Sequence, residues 1–142
     1  MVTIITGNKG TGKTKQLVRL VNAAVEKSSG NVICIEQKHH LTYEVSSRAR
    51  LISTAEYNVM GYDAYYGFLS GICAGDHDIS DVFTDATLRI GGRDYAALAV
   101  FLEKVVKLSE STEKNFTFTI SADPAELPAK VFEICASATV AE

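Results

Sequence analysis

An eight-residue segment near the start of the chain, Gly7 to Thr14, has the sequence GNKGTGKT and constrains the fold more than any other feature. It matches the pattern G-x-x-x-x-G-K-T, in which glycines let the backbone curl around a phosphate group. Residues 2–6 are β-branched and apolar, which predicts a buried strand, and residues 15–27 predict an amphipathic helix. The segment is therefore predicted to connect a strand to a helix, as a phosphate-binding loop does.

The residues of this segment have distinct predicted roles in holding a nucleotide. The Lys13 ammonium is predicted to reach the β- and γ-phosphates and to act in catalysis, and the Thr14 hydroxyl is predicted to ligate Mg²⁺. The alternative is a glycine-rich turn that binds no ligand. The residues predicted to bind the nucleotide are Gly7, Asn8, Lys9, Gly10, Thr11, Gly12, Lys13, Thr14 and Lys15.

Length and composition indicate one domain over residues 1–142. A chain of 142 residues is long enough to bury a core without disulfides or metals. Cys34, Cys73 and Cys135 lie in apolar runs and match neither a disulfide framework nor a metal site, which predicts a reduced, cytoplasmic protein. No apolar run is long enough to span a membrane, so we expect no membrane insertion. The net charge of −3 weighs against binding nucleic acid by bulk electrostatics.

Strand and helix patterns alternate through the rest of the chain. The first helix is predicted to stop at residues 28–30, with Gly30 as its C-terminal cap. The later predicted elements are a strand over 31–36, a hairpin of 41–45 with 49–53, a helix over 61–74, a strand over 79–84, a helix over 93–108, a strand over 116–120, a capped turn over 123–126, a helix over 128–136 and a tail over 137–140 that is either a last strand or frayed. This alternation predicts a three-layer α/β fold, a mostly parallel sheet with helices on both faces.

Polar residues stand at the carboxyl ends of the predicted strands. Glu36 closes the second strand, Asp85 follows the strand over 79–84, and Ser121 follows the strand over 116–120. In a parallel sheet these ends meet at one edge, where Gly7 begins the loop. We therefore expect the loop and the three side chains to form a single site.

The order of these features resembles the RecA-like branch of the P-loop NTPases: a Walker A loop, an acidic residue closing the next strand, a Walker B aspartate and a polar residue closing the following strand. The resemblance covers most of the chain and implies a P-loop NTPase fold with an ATP site and Mg²⁺. It implies that Asp85 holds a Mg²⁺-bound water opposite Thr14. It also implies that Glu36 activates the attacking water and that Ser121 senses the γ-phosphate. Ala86 follows Asp85, so the sequence lacks the aspartate–glutamate pair of many motor ATPases.

Simpler interpretations exist for the three polar residues at the strand ends. Asp85 is also compatible with a solvated aspartate that opens a loop, and Ser121 with an ordinary serine in a turn. Glu36 is also compatible with a charged strand end or with a group that binds a substrate. Their roles depend on where the fold places them.

Two arginine pairs, Arg48 with Arg50 and Arg89 with Arg93, have no fixed role in the sequence. Each pair is compatible with a lid, an arginine finger, a nucleic-acid contact or solvated surface charge. The His39–His40 pair lacks a cysteine or a second carboxylate at metal-ligand spacing, so we expect an exposed turn there.

Three functions are compatible with the sequence. The first is an ATP-binding protein with weak or partner-stimulated ATPase activity, and the second is a small-molecule or nucleoside kinase that uses the same loop. The third is a nucleotide sensor without hydrolysis, which signals through residues 37–59. No N-K-x-D guanine signature occurs, so ATP and ADP are the expected ligands. A protein partner or a homo-oligomer fits the first and third functions.

Overall fold

Strands and helices alternate over residues 1–141, the part of the chain that the computed structural model describes. The strands are β1 (Val2–Gly7), β2 (Asn31–Glu36), β3 (Arg50–Ser53), β4 (Ile79–Thr84), β5 (Asn115–Ser121) and β6 (Ser137–Val140). The helices are α1 (Lys13–Lys27), α2 (Tyr62–Gly75), α3 (Thr87–Gly91), α4 (Tyr95–Thr112) and α5 (Ala129–Ile134). Two short 3₁₀ turns span Thr54–Tyr57 and Pro124–Glu126.

The six strands form one sheet in the order β3-β2-β4-β5-β1-β6, and every neighbouring pair is parallel. Gly7 at the end of β1 is paired with Ser121 at the end of β5, and Ile35 of β2 is paired with Thr84 of β4. The carboxyl ends of these four strands therefore lie at one edge of the sheet. The predicted α/β fold with a mostly parallel sheet is confirmed.

Each face of the sheet is covered by its own apolar cluster. Neighbouring residues of β2 point to opposite faces, so Cys34 packs toward α1 while Ile35 packs toward α2 and α4. On the α1 face the buried residues are Leu17, Val21, Val32, Cys34, Leu41, Val45, Ala49 and Phe83. The larger cluster on the other face includes Ile4, Ile33, Ile35, Tyr65, Leu69, Leu98, Phe101, Leu102, Val105, Phe116, Phe118 and Val131. Helices thus cover both faces, as predicted.

The face of α2 that packs on the sheet is apolar and includes the aromatic residue Tyr65. Tyr65 is fully buried, and its ring centroid lies 4.5 Å from that of Phe101 in α4. Tyr62 and Tyr66 are partly buried and pack against the same cluster. These three tyrosines are therefore core and helix-edge residues.

The predicted hairpin of residues 41–45 with 49–53 is wrong. The first segment is a turn in which the Val45 N–H donates to the Leu41 carbonyl at 3.0 Å. The second segment supplies β3, which pairs in parallel with β2 at the edge of the sheet. Leu41 and Val45 are both buried against α1. Their four-residue spacing fits one face of a strand as well as one face of a helical turn, so the sequence pattern alone did not separate the two.

Other element boundaries follow from local capping. The helix predicted over 93–108 begins at Tyr95, because the Asp94 carboxylate accepts from the first free N–H groups of α4. The Asp123 carboxylate likewise accepts from Ala125 N at 2.9 Å, which confirms the predicted capped turn. Helix α5 is shorter than predicted, and the tail over 137–140 is a strand that pairs with β1.

Gly30 does not cap α1 as predicted. The helix ends at Lys27, and Ser28 leaves it in an extended conformation with φ −78° and ψ 141°. Gly30 is required for a different reason, since a Cβ atom at this position would lie 2.4 Å from the Asp78 carbonyl oxygen. Asn31 N also donates to that carbonyl at 2.8 Å. The start of β2 therefore lies directly against the turn that precedes β4.

We expect Gly30→Ala to lower the free energy of unfolding by about 1–3 kcal/mol, because backbone must move to admit the methyl group. Gly67→Ala is the matched control, since a Cβ there meets no atom within 4 Å in α2. Alanine should stabilise that helical position by roughly 0.5–1 kcal/mol. Urea unfolding followed by circular dichroism measures both changes. Equal stability of the two variants would contradict the close approach at Gly30.

Candidate functional site

The loop between β1 and α1 has backbone angles that require its glycines. Gly10 and Gly12 are left-handed, with φ of 86° and 84°. Gly7 has φ 143°, and a Cβ atom there would lie 2.8 Å from the Thr11 hydroxyl oxygen. The Thr11 hydroxyl in turn donates to the Asn8 carbonyl at 2.7 Å. The loop is therefore a tightly folded turn, and each glycine of the motif is favoured there by its backbone angle or by the lack of space for a Cβ atom.

Helix α1 begins inside this loop without a capping side chain. Gly12 occupies the N-cap position and offers no side-chain hydrogen bond, and the first turn contains no acidic residue. The first N–H groups of a helix lack partners within the helix and carry the positive end of its dipole. A helix of 15 residues that starts this way suits an anion such as a phosphate.

The Lys13 side chain folds back over the loop. It is 5% exposed, and its Nζ donates to the Asn8 carbonyl at 2.7 Å and to the Thr11 hydroxyl at 3.3 Å. Burial lowers the pKa of Lys13, while the negative charge of Asp85 acts in the opposite direction. The ammonium is therefore held at the loop by neutral acceptors, which phosphate oxygens can replace with stronger, charge-assisted hydrogen bonds.

Asp85 connects α1 to the ends of β4 and β5. The Thr14 hydroxyl donates to Asp85 Oδ2 at 3.0 Å, across 71 residues of sequence. The Thr119 hydroxyl donates to Asp85 Oδ1 at 2.7 Å and accepts from the Ala86 N–H at 2.7 Å. The Asp85 N–H donates to the Ile35 carbonyl at 2.9 Å. Both the backbone and the carboxylate of Asp85 are thus fixed.

The oxygen atoms of Thr14 and Asp85 fit the requirements of Mg²⁺. This cation prefers oxygen ligands and keeps several of its waters, so one hydroxyl and one carboxylate beside a phosphate suffice. Both side chains line the same cleft as Lys13. The role of Thr14 and Asp85 as metal ligands stays a prediction.

Glu36 is the most deeply buried carboxylate near the loop. It is 3% exposed, and its Oε1 accepts from the His40 N–H at 2.8 Å. Its Oε2 is buried and has no hydrogen-bond partner among residues 1–141. A cavity of about 160 Å³ joins Glu36 to Thr14 and Asp85. An unpaired buried carboxylate oxygen is costly, so this atom is suited to accept a hydrogen bond from a molecule in the cavity.

The loop and the strand ends enclose a cleft of about 430 Å³, a volume within the range of small-molecule sites. Gly7, Asn8 and Thr11 shape the loop without lining the cleft. Ser121 lines it, as predicted, and its role toward a γ-phosphate stays a prediction. The lining residues are Lys9, Gly10, Gly12, Lys13, Thr14, Lys15, Asp85, Ala86, Arg89, Thr119 and Ser121.

Three of the lining residues, Ala86, Arg89 and Thr119, were not assigned to the site from the sequence. Thr119 lies on β5 two residues before Ser121, and a buried threonine in a strand gives no signal of its own because threonine is common there. Arg89 lies on α3, whose five residues are too few to show helical periodicity. The signal that was available is proximity in sequence, since Arg89 comes four residues after Asp85.

The other polar residues considered from the sequence lie elsewhere. Arg48 forms an exposed ion pair with Glu26. Arg50 lines a separate, mostly apolar groove of about 440 Å³ between β3 and α2. This groove has about the same volume as the cleft, but the loop and the carboxylates of the strand ends do not line it. His39 is exposed, as expected, and its hydrogen bond to Glu56 raises its pKa.

Comparison with known proteins gave no match, either to models of protein families or to curated proteins. Function is therefore inferred from the residues that line the cleft and the cavities beside it. Across residues 1–141, the helices are too short or too polar to cross a membrane.

Thr119→Val is expected to lower the free energy of unfolding by about 1–3 kcal/mol, because it removes a hydroxyl that pairs with both Asp85 and the Ala86 N–H. Thr117→Val is the matched control on the same strand, since the Thr117 hydroxyl makes no hydrogen bond with residues 1–141 of the chain. Chemical denaturation of both variants gives the comparison. If Thr117→Val lowers the free energy of unfolding as much as Thr119→Val does, the hydroxyl of Thr119 does not hold Asp85.

Proposed function

We propose that the chain is a P-loop NTPase of the RecA-like branch that binds ATP with Mg²⁺ and hydrolyses it. One observation carries this proposal. Lys13 and Thr14 meet Asp85 in a single cleft at the carboxyl edge of the sheet. An ammonium, a hydroxyl and a carboxylate in this arrangement match the groups that a magnesium–triphosphate complex needs.

The loop would hold the phosphates through backbone N–H groups and Lys13. The free N–H groups at the start of α1 would donate to the phosphate oxygens, and the Lys13 ammonium would exchange its contact with Asn8 for the β- and γ-phosphates. Thr14 and Asp85 would hold Mg²⁺, which when bound neutralises charge that develops on the phosphates. Ser121 is proposed to contact the γ-phosphate from the end of β5.

Glu36 would act as the general base for hydrolysis. Its Oε2 would accept a proton from a water molecule whose oxygen forms a bond to the γ-phosphorus, while the bond from that phosphorus to the bridging oxygen of ADP breaks. The burial of Glu36 and the hydrogen bond from His40 N to Oε1 hold the carboxylate in one orientation. The unpaired oxygen is the one available for the water.

A kinase is the second candidate, and the cavity beside Glu36 favours it. This cavity is also lined by Gln37, Lys38 and His40, so an acceptor hydroxyl in place of water would meet polar groups. The γ-phosphate would then pass to that hydroxyl. A sensor without hydrolysis would need the loop and Asp85 but not Glu36.

ATP and ADP are the proposed small-molecule ligands, and a protein partner or a second copy of the chain is a proposed regulator of turnover. A cytoplasmic location is proposed from the cysteines, which are buried as free thiols. Burial raises the pKa of Cys34 to about 12, so this thiol stays protonated and unreactive at neutral pH.

Lys13→Ala is expected to weaken Mg-ATP binding at least about tenfold, because a charged hydrogen-bond donor contributes roughly 1.5–3 kcal/mol. Isothermal titration calorimetry with Mg-ATP measures the change. Lys27→Ala, at the far end of the same helix, should bind as the parent does. Unchanged affinity in Lys13→Ala would exclude the nucleotide site.

Glu36→Gln is expected to lower ATP turnover by about 10²-fold or more while nucleotide affinity stays nearly the same, because a general base acts on the transition state. Glutamine keeps an oxygen for the His40 N–H, so the local fold is preserved. Phosphate release at saturating ATP is compared with a binding isotherm for a non-hydrolysable analogue. The exposed Glu44→Gln serves as control, and parental turnover in Glu36→Gln would rule out the proposed base.

A further inference from the structure

A second, smaller cavity adjoins the cleft, and three of its six lining residues are cations. Its volume is about 140 Å³, and its lining residues are Lys9, Ala86, Leu88, Arg89, Arg93 and Ser121. Lys9, Arg89 and Ser121 line both this cavity and the cleft. The two spaces are therefore neighbours, and we call the smaller one the basic pocket.

The three cations of the basic pocket lack carboxylate partners. The ion pairs within residues 1–141 join His39 to Glu56, Arg48 to Glu26, Lys104 to Asp63 and Lys130 to Glu103. The two carboxylates closest in sequence to the arginines have other roles, since Asp94 caps α4 and Asp85 accepts from Thr14 and Thr119. Three positive charges around one small space repel one another, and an anion between them relieves that repulsion.

The segment that carries both arginines is firmly attached to the rest of the fold. The Gln37 amide donates to the Arg89 carbonyl at 3.5 Å, and the Gly61 N–H donates to the Ile90 carbonyl at 2.9 Å. The Tyr62 hydroxyl donates to the Gly92 carbonyl at 2.7 Å. Both arginine side chains are exposed, and they extend from a backbone that these contacts hold in place.

We propose that the basic pocket is a second phosphate site, which holds the phosphate monoester group of a small molecule bound at the same time as the nucleotide. The inference rests on the proposed nucleotide function of the adjoining cleft. Three cations match a dianion better than a singly charged carboxylate, and guanidinium groups bind phosphate oxygens in pairs. The pocket has about a third of the cleft's volume, which suits one phosphate group and not a nucleoside.

Arg93 distinguishes the basic pocket from the part of the cleft that would hold the nucleotide's phosphates. Lys9, Arg89 and Ser121 also line the cleft, so each can contact a terminal phosphate of a bound nucleotide. Arg93 lines the basic pocket and does not line the cleft. A ligand phosphate held by Arg93 would lie next to the γ-phosphate. The molecule that carries it would then be an activator of ATP hydrolysis, and in the kinase alternative it would be the acceptor.

The test uses protein saturated with Mg²⁺ and the β,γ-imido analogue of ATP, so that the cleft is filled up to the γ-position. Inorganic phosphate is then titrated and followed by calorimetry. The parent should bind one phosphate, and Arg93→Ala and Arg93→Gln should each weaken this binding at least about tenfold, as expected for one charge-assisted contact. Arg19→Ala removes an exposed arginine of α1 that lines neither space and should bind phosphate as the parent does.

Two results would overturn the second site. Phosphate that does not bind to the analogue-loaded parent would mean that the cations contact only the nucleotide. Phosphate that binds the Arg93 variants as tightly as the parent would mean that it sits elsewhere. An acetate titration tests the charge preference, and acetate binding as tight as phosphate binding would overturn the assignment to a dianion.

Failure of the proposed function gives a different pattern. If the analogue does not bind the parent at all, the nucleotide site is wrong, and phosphate is titrated into nucleotide-free Lys13→Ala. If phosphate still binds the single variant Lys13→Ala but no longer binds the double variant with Arg93→Ala, a separate phosphate site is supported. If the single variant Lys13→Ala already fails to bind phosphate, the second site is overturned.

Discussion

The carboxylate of Asp85 is the contact on which the arrangement of the cleft depends. It accepts from hydroxyls of α1 and β5 while its own backbone N–H is bound to β2, so one residue fixes three elements relative to β4. A parallel sheet makes this convergence possible because its carboxyl ends share an edge. The same contact fixes the distance between Thr14 and the strand ends, and so the position of Lys13 on the loop beside it.

Acidic and basic side chains lie on opposite sides of the cleft. Glu36 and Asp85 lie on the side of β2 and β4, while Lys9, Arg89 and Arg93 lie toward β5 and α3. Arg89 borders the cleft and both smaller cavities, so it stands between the acidic and the basic side. A chain with net charge −3 thus concentrates positive charge beside its loop, which favours an anionic ligand there.

Features set by local sequence were predictable, and those set by tertiary contacts were not. The loop, its strand and its helix follow from adjacent residues, and Asp85 and Glu36 follow from the rule that strand ends meet. Thr119 could not be found because its hydroxyl gains its role only when β5 lies beside β4. Gly30 was assigned the wrong role, because its neighbour in space is a carbonyl of a residue far along the chain. The false hairpin arose because Leu41 and Val45 fit an alternating pattern until α1 is seen to cover them.

The most direct test of the central claim follows the γ-phosphate itself. Pure protein is incubated with γ-labelled ATP and Mg²⁺, and the label is separated into nucleotide, inorganic phosphate and other products. A P-loop ATPase should release label as inorganic phosphate at a rate that depends on Mg²⁺ and on Glu36. Two results would contradict hydrolysis as the function of this cleft. In one, the label stays on ATP even at protein concentrations well above those used for binding; in the other, it appears on another molecule.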